Sequence, residues 1–235
     1  MHAALSDFGL RQEPLSTGAP AGMSAAVEAI FRAALSAPSG IVLIAGAAGS
    51  GRTATLDAGL ALHPGALIVG EIRDRETADM AVQSALAGAL VLAAIDAGNA
   101  VGAVIRLKAL AIEPFLIAST LRAVLAQRLV RRLCRGCRRP VQAAASLAAR
   151  LGFDPGAIVH ESPGCARCGH KGHEGWIALY EAIDVDVAMR RLISGGGDAA
   201  VIASHAFRDR PDLAGAARAA ALGGAISAED ALRPC

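Results

Sequence analysis

Two groups of residues in this chain have the types and spacing to do chemistry. The first is the run Gly46-Ala47-Ala48-Gly49-Ser50-Gly51-Arg52-Thr53. It fits the phosphate-binding pattern GxxxxGK[ST] at every defined position except one, where Arg52 stands in place of lysine. Glycines let successive backbone N–H groups turn inward around an anion, and a helix that follows presents unsatisfied N–H groups and the positive end of its dipole. Gly46, Gly49, Ser50, Gly51 and Arg52 are therefore the candidate phosphate cradle, and the Thr53 hydroxyl is the candidate Mg²⁺ ligand. The competing reading is a glycine-rich turn that binds nothing. The second group is Cys134-Arg135-Gly136-Cys137 and Cys165-Ala166-Arg167-Cys168, a doubled CxxC. Each pair offers two thiolates from one tight turn, and two such turns complete a tetrahedral Zn²⁺ site. Four unrelated free thiols are the alternative. His160, His170 and His173 lie nearby in sequence but are not needed as ligands, and the pattern predicts them on the surface.

The elements that must position these groups follow from periodicity. The loop is preceded by Gly40-Ile41-Val42-Leu43-Ile44-Ala45, a buried strand, and followed by a helix-forming run from Thr55 to Leu62. His63-Pro64-Gly65 breaks the chain, and a second aliphatic strand over Ala66–Gly70 ends in Glu71-Ile72-Arg73-Asp74. A strand–helix–strand crossover sets both strand ends on one edge, which predicts Glu71 near the loop, where an acid could orient an attacking water. A solvated carboxylate at a strand end is the other reading of Glu71. Upstream, Ser24 is placed to cap a helix over Ala25–Ser36. Downstream the pattern predicts a helix over Glu76–Leu86, a strand over Ala89–Ile95, helices over Ala100–Leu110 and Pro114–Ala126, and a strand over Leu129–Leu133. After the second cysteine pair, Ile177–Ile183 reads as a strand. The helices predicted beyond it cover 188–193, 199–206, 213–222 and 228–232.

Composition narrows the class. At 235 residues the chain can bury a proper core. Alanine dominates its apolar content and aromatics are only 3%, which suits helices packed on a parallel sheet. A net charge of +2 is too small to argue for nucleic acid, and no aromatic residues interleave with Arg131, Arg132, Arg135, Arg138 and Arg139. The most apolar run, Ala85 to Ile95, stops at Asp96, far short of about 20 residues for a membrane span. Asp7, Arg11 and Glu13 come too early for a signal peptide, so a cytoplasmic, reducing location is expected, where paired cysteines more often hold metal than form disulfides. Cys235, the fifth cysteine, reads as unpaired and inert.

With these residues in place the chain resembles the type II secretion and type IV pilus assembly ATPases. The resemblance rests on Gly70-Glu71-Ile72-Arg73-Asp74 through Ala78, Ala81, Val82, Gln83 and Ala85, on Ala100–Val104 with Arg106-Leu107, on Glu113-Pro114-Phe115, on Ala126–Cys134, on the four cysteines, and on Gly175 to Tyr180-Glu181. It covers about residues 24–233. It implies an α/β fold, a RecA-like P-loop core with a parallel sheet, a tetracysteine zinc subdomain and C-terminal helices. The expected divisions are a lead-in over 1–23, the core over 24–133 (shortened between the loop and Glu71), the zinc subdomain over 134–175, and a strand and helical region over 176–235. The resemblance also implies ATP, Mg²⁺ and Zn²⁺ as cofactors, Glu71 as the catalytic acid, and a cytoplasmic location, peripheral on the inner membrane. The partners it implies are a homo-hexamer or a hetero-oligomer with an intact paralogous ATPase, and an inner-membrane secretion platform protein; no nucleic acid is expected.

The departures from the family pattern bear on activity. Its loop lysine is Arg52 here. Only residues 54–66 separate the loop from the second strand, where family members carry several tens more, including an acidic segment beside the nucleotide. The family's Ser-Thr-Leu-His-Thr-Asn-Asp-Ala box corresponds to Ala93–Ala100, with Asp96 in place of histidine. Trp176 stands where an arginine is expected, and Ala178 where a glycine is. The family's N-terminal regulatory domain has no counterpart in these residues. Three expectations result: a homologue with impaired or lost hydrolysis, an active ATPase with an altered site, or a zinc-stabilised interaction module or decaying gene product.

Overall fold

The computed structural model describes Pro20 and residues 22–233. Cys235 and nearly all of the predicted lead-in lie outside them. Two compact units emerge, one of residues 22–129 with 178–216, the other of residues 130–177 with 217–233. The first carries a five-stranded sheet in the order β2-β3-β1-β4-β7. Its strands are β1 (Gly40–Ala45), β2 (Leu67–Ile72), β3 (Leu90–Ile95), β4 (Leu121–Leu133) and β7 (His173–Asp184). Pairings β1–β3, β1–β4 and β2–β3 are all parallel. Every residue of β1 and β3 is buried, as a strand covered on both faces should be.

One face of this sheet packs on α1 (Ala25–Leu35) and α2 (Arg52–Leu62), where Phe31, Val42, Ile44, Leu56, Leu92 and Leu125 belong to one apolar cluster. Ser24 caps α1 by accepting from Val27 N–H at 3.4 Å, as its sequence position predicts. Against the sheet also pack α3 (Arg75–Leu86) and α5 (Pro114–Thr120). The first unit is completed by α4 (Ala100–Ala109), α7 (Val187–Ser194) and α8 (Ala199–Ala206). The helix predicted over Pro114–Ala126 is corrected: α5 stops at Thr120 and residues from Leu121 onward are strand. Leu121, Ala123, Val124, Leu125 and Ala126 have no measurable exposure, and a slot between β1 and β7 overrides the helix preference of leucine and alanine. The second strand also shifts, running Leu67–Ile72, so that Glu71 lies inside it rather than beyond it.

In the second unit, β5 (Arg139–Gln142) and β6 (Ile158–Glu161) form an antiparallel pair. The short helices α6 (Ala145–Leu151) and α10 (Ala228–Ala231) pack together. One turn of 3-10 helix, Ala166–Cys168, carries the second cysteine pair. Helix α9 (Leu213–Leu222) begins within the first unit and ends within the second.

Candidate functional site

The sheet register gathers the candidate loop residues at one edge. Ala45 pairs with Ile95 and Ile95 with Ile72, so the carboxyl ends of β1, β2 and β3 stop at one level, while β4, paired there through Ala126, runs on to Leu133. In open α/β sheets that edge is where ligands sit. The loop leaves β1 there and turns into α2, with Gly46, Gly49 and Gly51 at φ of 155°, 79° and 89°. A Cβ on Gly46 would run into Ser50 Oγ, whereas nothing crowds Gly49, so Gly46 is fixed by close approach and Gly49 by conformation. Gly51 caps α2 with no side-chain bond, leaving the first helical N–H groups to other partners. The Ser50 N–H is an exception to the predicted cradle, since it donates to Ala47 O at 3.1 Å and closes a turn. Ser50 Oγ and Arg52 Nη1 are buried with no hydrogen-bond partner.

Gln127, which received no role in the sequence reading, fastens the loop from beneath. Its Nε2 donates to Ser50 O at 2.7 Å, and its Oε1 accepts from Thr55 Oγ1 at 2.6 Å. Thr55 Oγ1 also lies 3.4 Å from Tyr180 Oη. A glutamine directly after the apolar run Ala123–Ala126 was the available signal, because a buried polar group there must find partners.

Glu71 stands beside the loop, as predicted, but it is not free. Its Oε1 accepts from Arg52 Nη2 at 3.2 Å, and its Oε2 from Arg73 Nη2 at 2.7 Å and Nε at 3.0 Å. The Arg73 guanidinium, helped by the charges of both arginines against a desolvation cost, holds the carboxyl below its ordinary value. Asp96 is exposed, one residue past the end of β3, on the same edge as the loop.

The four predicted cysteines come together. Their Sγ atoms all lie within 4.8 Å of one another, with Cys134–Cys165 and Cys137–Cys168 at 4.0 Å and Cys165–Cys168 at 3.9 Å. A tetrahedral zinc with bonds of about 2.3 Å has sulfur–sulfur edges of about 3.8 Å, so the donor set fits Zn²⁺. Cys168 Sγ accepts from the N–H groups of Cys165 at 3.2 Å and Gly172 at 3.3 Å. Those donors, the Cys165 N–H foremost, draw its pKa down to about 6, while burial pushes the Cys134 thiol up to about 11. Among the described residues no histidine belongs to this cluster. His170 is exposed as expected, but His160 and His173 are half-buried, with His173 Nε2 at 3.5 Å from the buried Asp230.

Residues 60–233 match the family model described as "Type II/IV secretion system protein". The chain belongs to this family. The match starts in the second half of α2, after the phosphate loop. Among curated relatives, the chain is 41% identical over 172 residues to type II secretion system protein E of Pseudomonas aeruginosa, covering 72% of this chain and 34% of the relative. It is 32% identical over 237 residues to the type IV pilus assembly ATPase PilB of Myxococcus xanthus, covering 80% of this chain and 42% of that one. It thus spans between a third and a half of the length of these relatives. The fold is that of the pilus retraction motor PilT with bound ADP, at a TM-score of 0.61 and 16% identity over 93% of this chain and 67% of that one. The α/β reading, with a RecA-like core and a tetracysteine cluster, is borne out. No helix among the described residues is long and apolar enough to cross a membrane.

Proposed function

We propose that this chain is a nucleotide-binding secretion or pilus-assembly ATPase homologue with impaired hydrolysis, working in or beside a type II secretion or type IV pilus system. The observation that carries the reading is Arg52, in the loop position of the pattern's lysine, engaged with the acid that would orient water. Backbone N–H groups of Gly49, Gly51 and Arg52 would receive phosphate oxygens, and the Thr53 hydroxyl would hold Mg²⁺, which supplies charge neutralisation at the phosphates. Arginine keeps the charge of lysine, but its planar fork demands different geometry from a point charge. Glu71, ion-paired twice, is a weaker proton acceptor than a free carboxylate. Asp96 brings negative charge to the edge where phosphate charge would develop, the wrong sign for stabilising a transition state. Oligomerisation with itself or an intact paralogue, a platform protein at the inner membrane and a cytoplasmic location belong to the same reading and rest on the family resemblance alone.

The test is steady-state phosphate release from ATP, alone and with a full-length family ATPase, with Glu71→Gln as the blank. The chain alone should turn over well below about 1 s⁻¹, the low end of ordinary enzymes. Arg52→Lys should tighten ATP binding more than it raises turnover. Turnover at that rate or faster, abolished by Glu71→Gln, would overturn the proposal in favour of an active ATPase with an altered site.

A further inference from the structure

Two arginines hold Glu71, one at each carboxylate oxygen, and they are not equivalent. The Arg52 side chain is 12% exposed and that of Arg73 is 77% exposed, with Glu71 between them at 25%. Arg52 sits at the start of α2 with Nη1 buried and unpartnered, close in the chain to the equally unpartnered Ser50 Oγ. Its other terminal nitrogen, Nη2, is committed to Glu71 Oε1 at 3.2 Å, the longest of the three contacts to that carboxylate. Arg73 grips Oε2 with two nitrogens, at 2.7 and 3.0 Å. Two charge-assisted donors on one oxygen hold it more firmly than a single donor at 3.2 Å, and a carboxylate that loses one cation is penalised least when a second already holds it.

We infer that Arg52 is shared between Glu71 and an incoming polyphosphate, and that Arg73 is the positioning residue that keeps Glu71 when the phosphate takes Arg52. This rests on the nucleotide-binding reading above. Phosphate binding then competes with an internal carboxylate. The acid is released from the loop only as the loop fills, and Arg73 acts on binding through Glu71 rather than by touching the ligand.

The experiment is titration of the full chain with a fluorescent ATP analogue and with inorganic triphosphate, both with Mg²⁺, across a set of single and double variants. Glu71→Gln should tighten binding about threefold to tenfold, the scale of one ordinary net hydrogen bond. That gain should vanish when Arg52→Ala is already present. Arg73→Ala should weaken binding by a similar factor, Arg73→Lys should restore most of it, and Arg73→Ala should be silent on top of Glu71→Gln. An equal gain from Glu71→Gln with and without Arg52 would mean plain repulsion between carboxylate and phosphate, and would overturn the sharing. A loss from Arg73→Ala that persists in Glu71→Gln would mean direct contact with the ligand, and would overturn the role of Arg73. If neither the wild type nor Arg52→Lys binds either probe, the nucleotide-binding reading itself falls and takes this one with it, whereas binding without the stated coupling sinks this one alone.

Discussion

Glu181 has two carboxylate oxygens, and each serves a different helix. Oε1 accepts from Ala100 N–H, at the start of α4, and Oε2 from Leu213 N–H, at the start of α9, both at 2.6 Å. The residue is 1% exposed, so it acts as a shared remote cap from within the core. Burial raises its pKa, the two N–H donors oppose that, and Asp212 adds to it. A raised folded-state pKa means that the folded protein binds the proton more tightly than the unfolded chain. The stabilisation from that proton is complete below the unfolded carboxylate value of about 4.3 and is lost as pH rises through the folded value. Glu181→Gln cannot titrate, so the difference in Tm, variant minus wild type, should move in the variant's favour between about pH 4 and pH 7. Thermal unfolding of both proteins at each pH checks this. A difference that stays constant, or moves against the variant, would contradict the raised pKa. The Glu181–Leu213 bond joins residues 32 apart and the Glu181–Ala100 bond residues 81 apart, which is why sequence pattern gave Glu181 no role.

At the scale of elements, the position of Glu71 depends on an irregularity in β2. Ile68 pairs with Leu92, but Gly70 pairs with Ala93, so Val69 is an extra residue and the strand bulges. Beyond the bulge Glu71 faces the same way as Ala94, which belongs to the cluster packed on α1 and α2. Without the extra residue the period of two would put Glu71 opposite Ile95, on the other face and away from Arg52. Gly70 makes the bulge with φ of 76°, and a Cβ there would meet nothing within 4 Å. Gly70→Ala is therefore a purely conformational change and should cost about 1–2 kcal/mol in urea unfolding, the penalty of a left-handed backbone with a side chain. A neutral result would show that the strand can slip to a regular register without loss. The buried strand and glycine loop were legible because their signals are local, an aliphatic run followed by fixed glycine spacing. The break between α5 and β4 was not, because Leu121–Ala126 has the composition of a helix and only its neighbours β1 and β7 make it a strand. Gln127 escaped assignment for the same reason: its partner Ser50 lies 77 residues away.

At the scale of the whole molecule, the second unit has little apolar mass with which to hold itself together. Its β5–β6 pair has four residues in each strand, and three of the four residues of β5 are exposed. The segment from 134 to 172 is instead knotted to itself through the cysteine turns. Cys134 N–H donates to Gly172 O at 2.9 Å, Cys168 Sγ takes the Gly172 N–H, and Ser162 Oγ reaches Cys134 O at 3.4 Å. With the four sulfurs at tetrahedral spacing, a structural Zn²⁺ would act as the missing core. Its apparent worth in small peptides, about 10–16 kcal/mol at neutral pH, rivals the whole net stability of a typical domain at about 5–15 kcal/mol. Purified protein should thus contain about one zinc per chain, with Cys134, Cys137, Cys165 and Cys168 shielded from thiol reagents until a strong chelator is added. Chelation, or Cys165→Ser, should open the second unit to protease at sites between 134 and 172 before the sheet unit is cut. Elemental analysis that finds no zinc, with four thiols titrating freely in a protein that still resists protease, would remove the metal from this account.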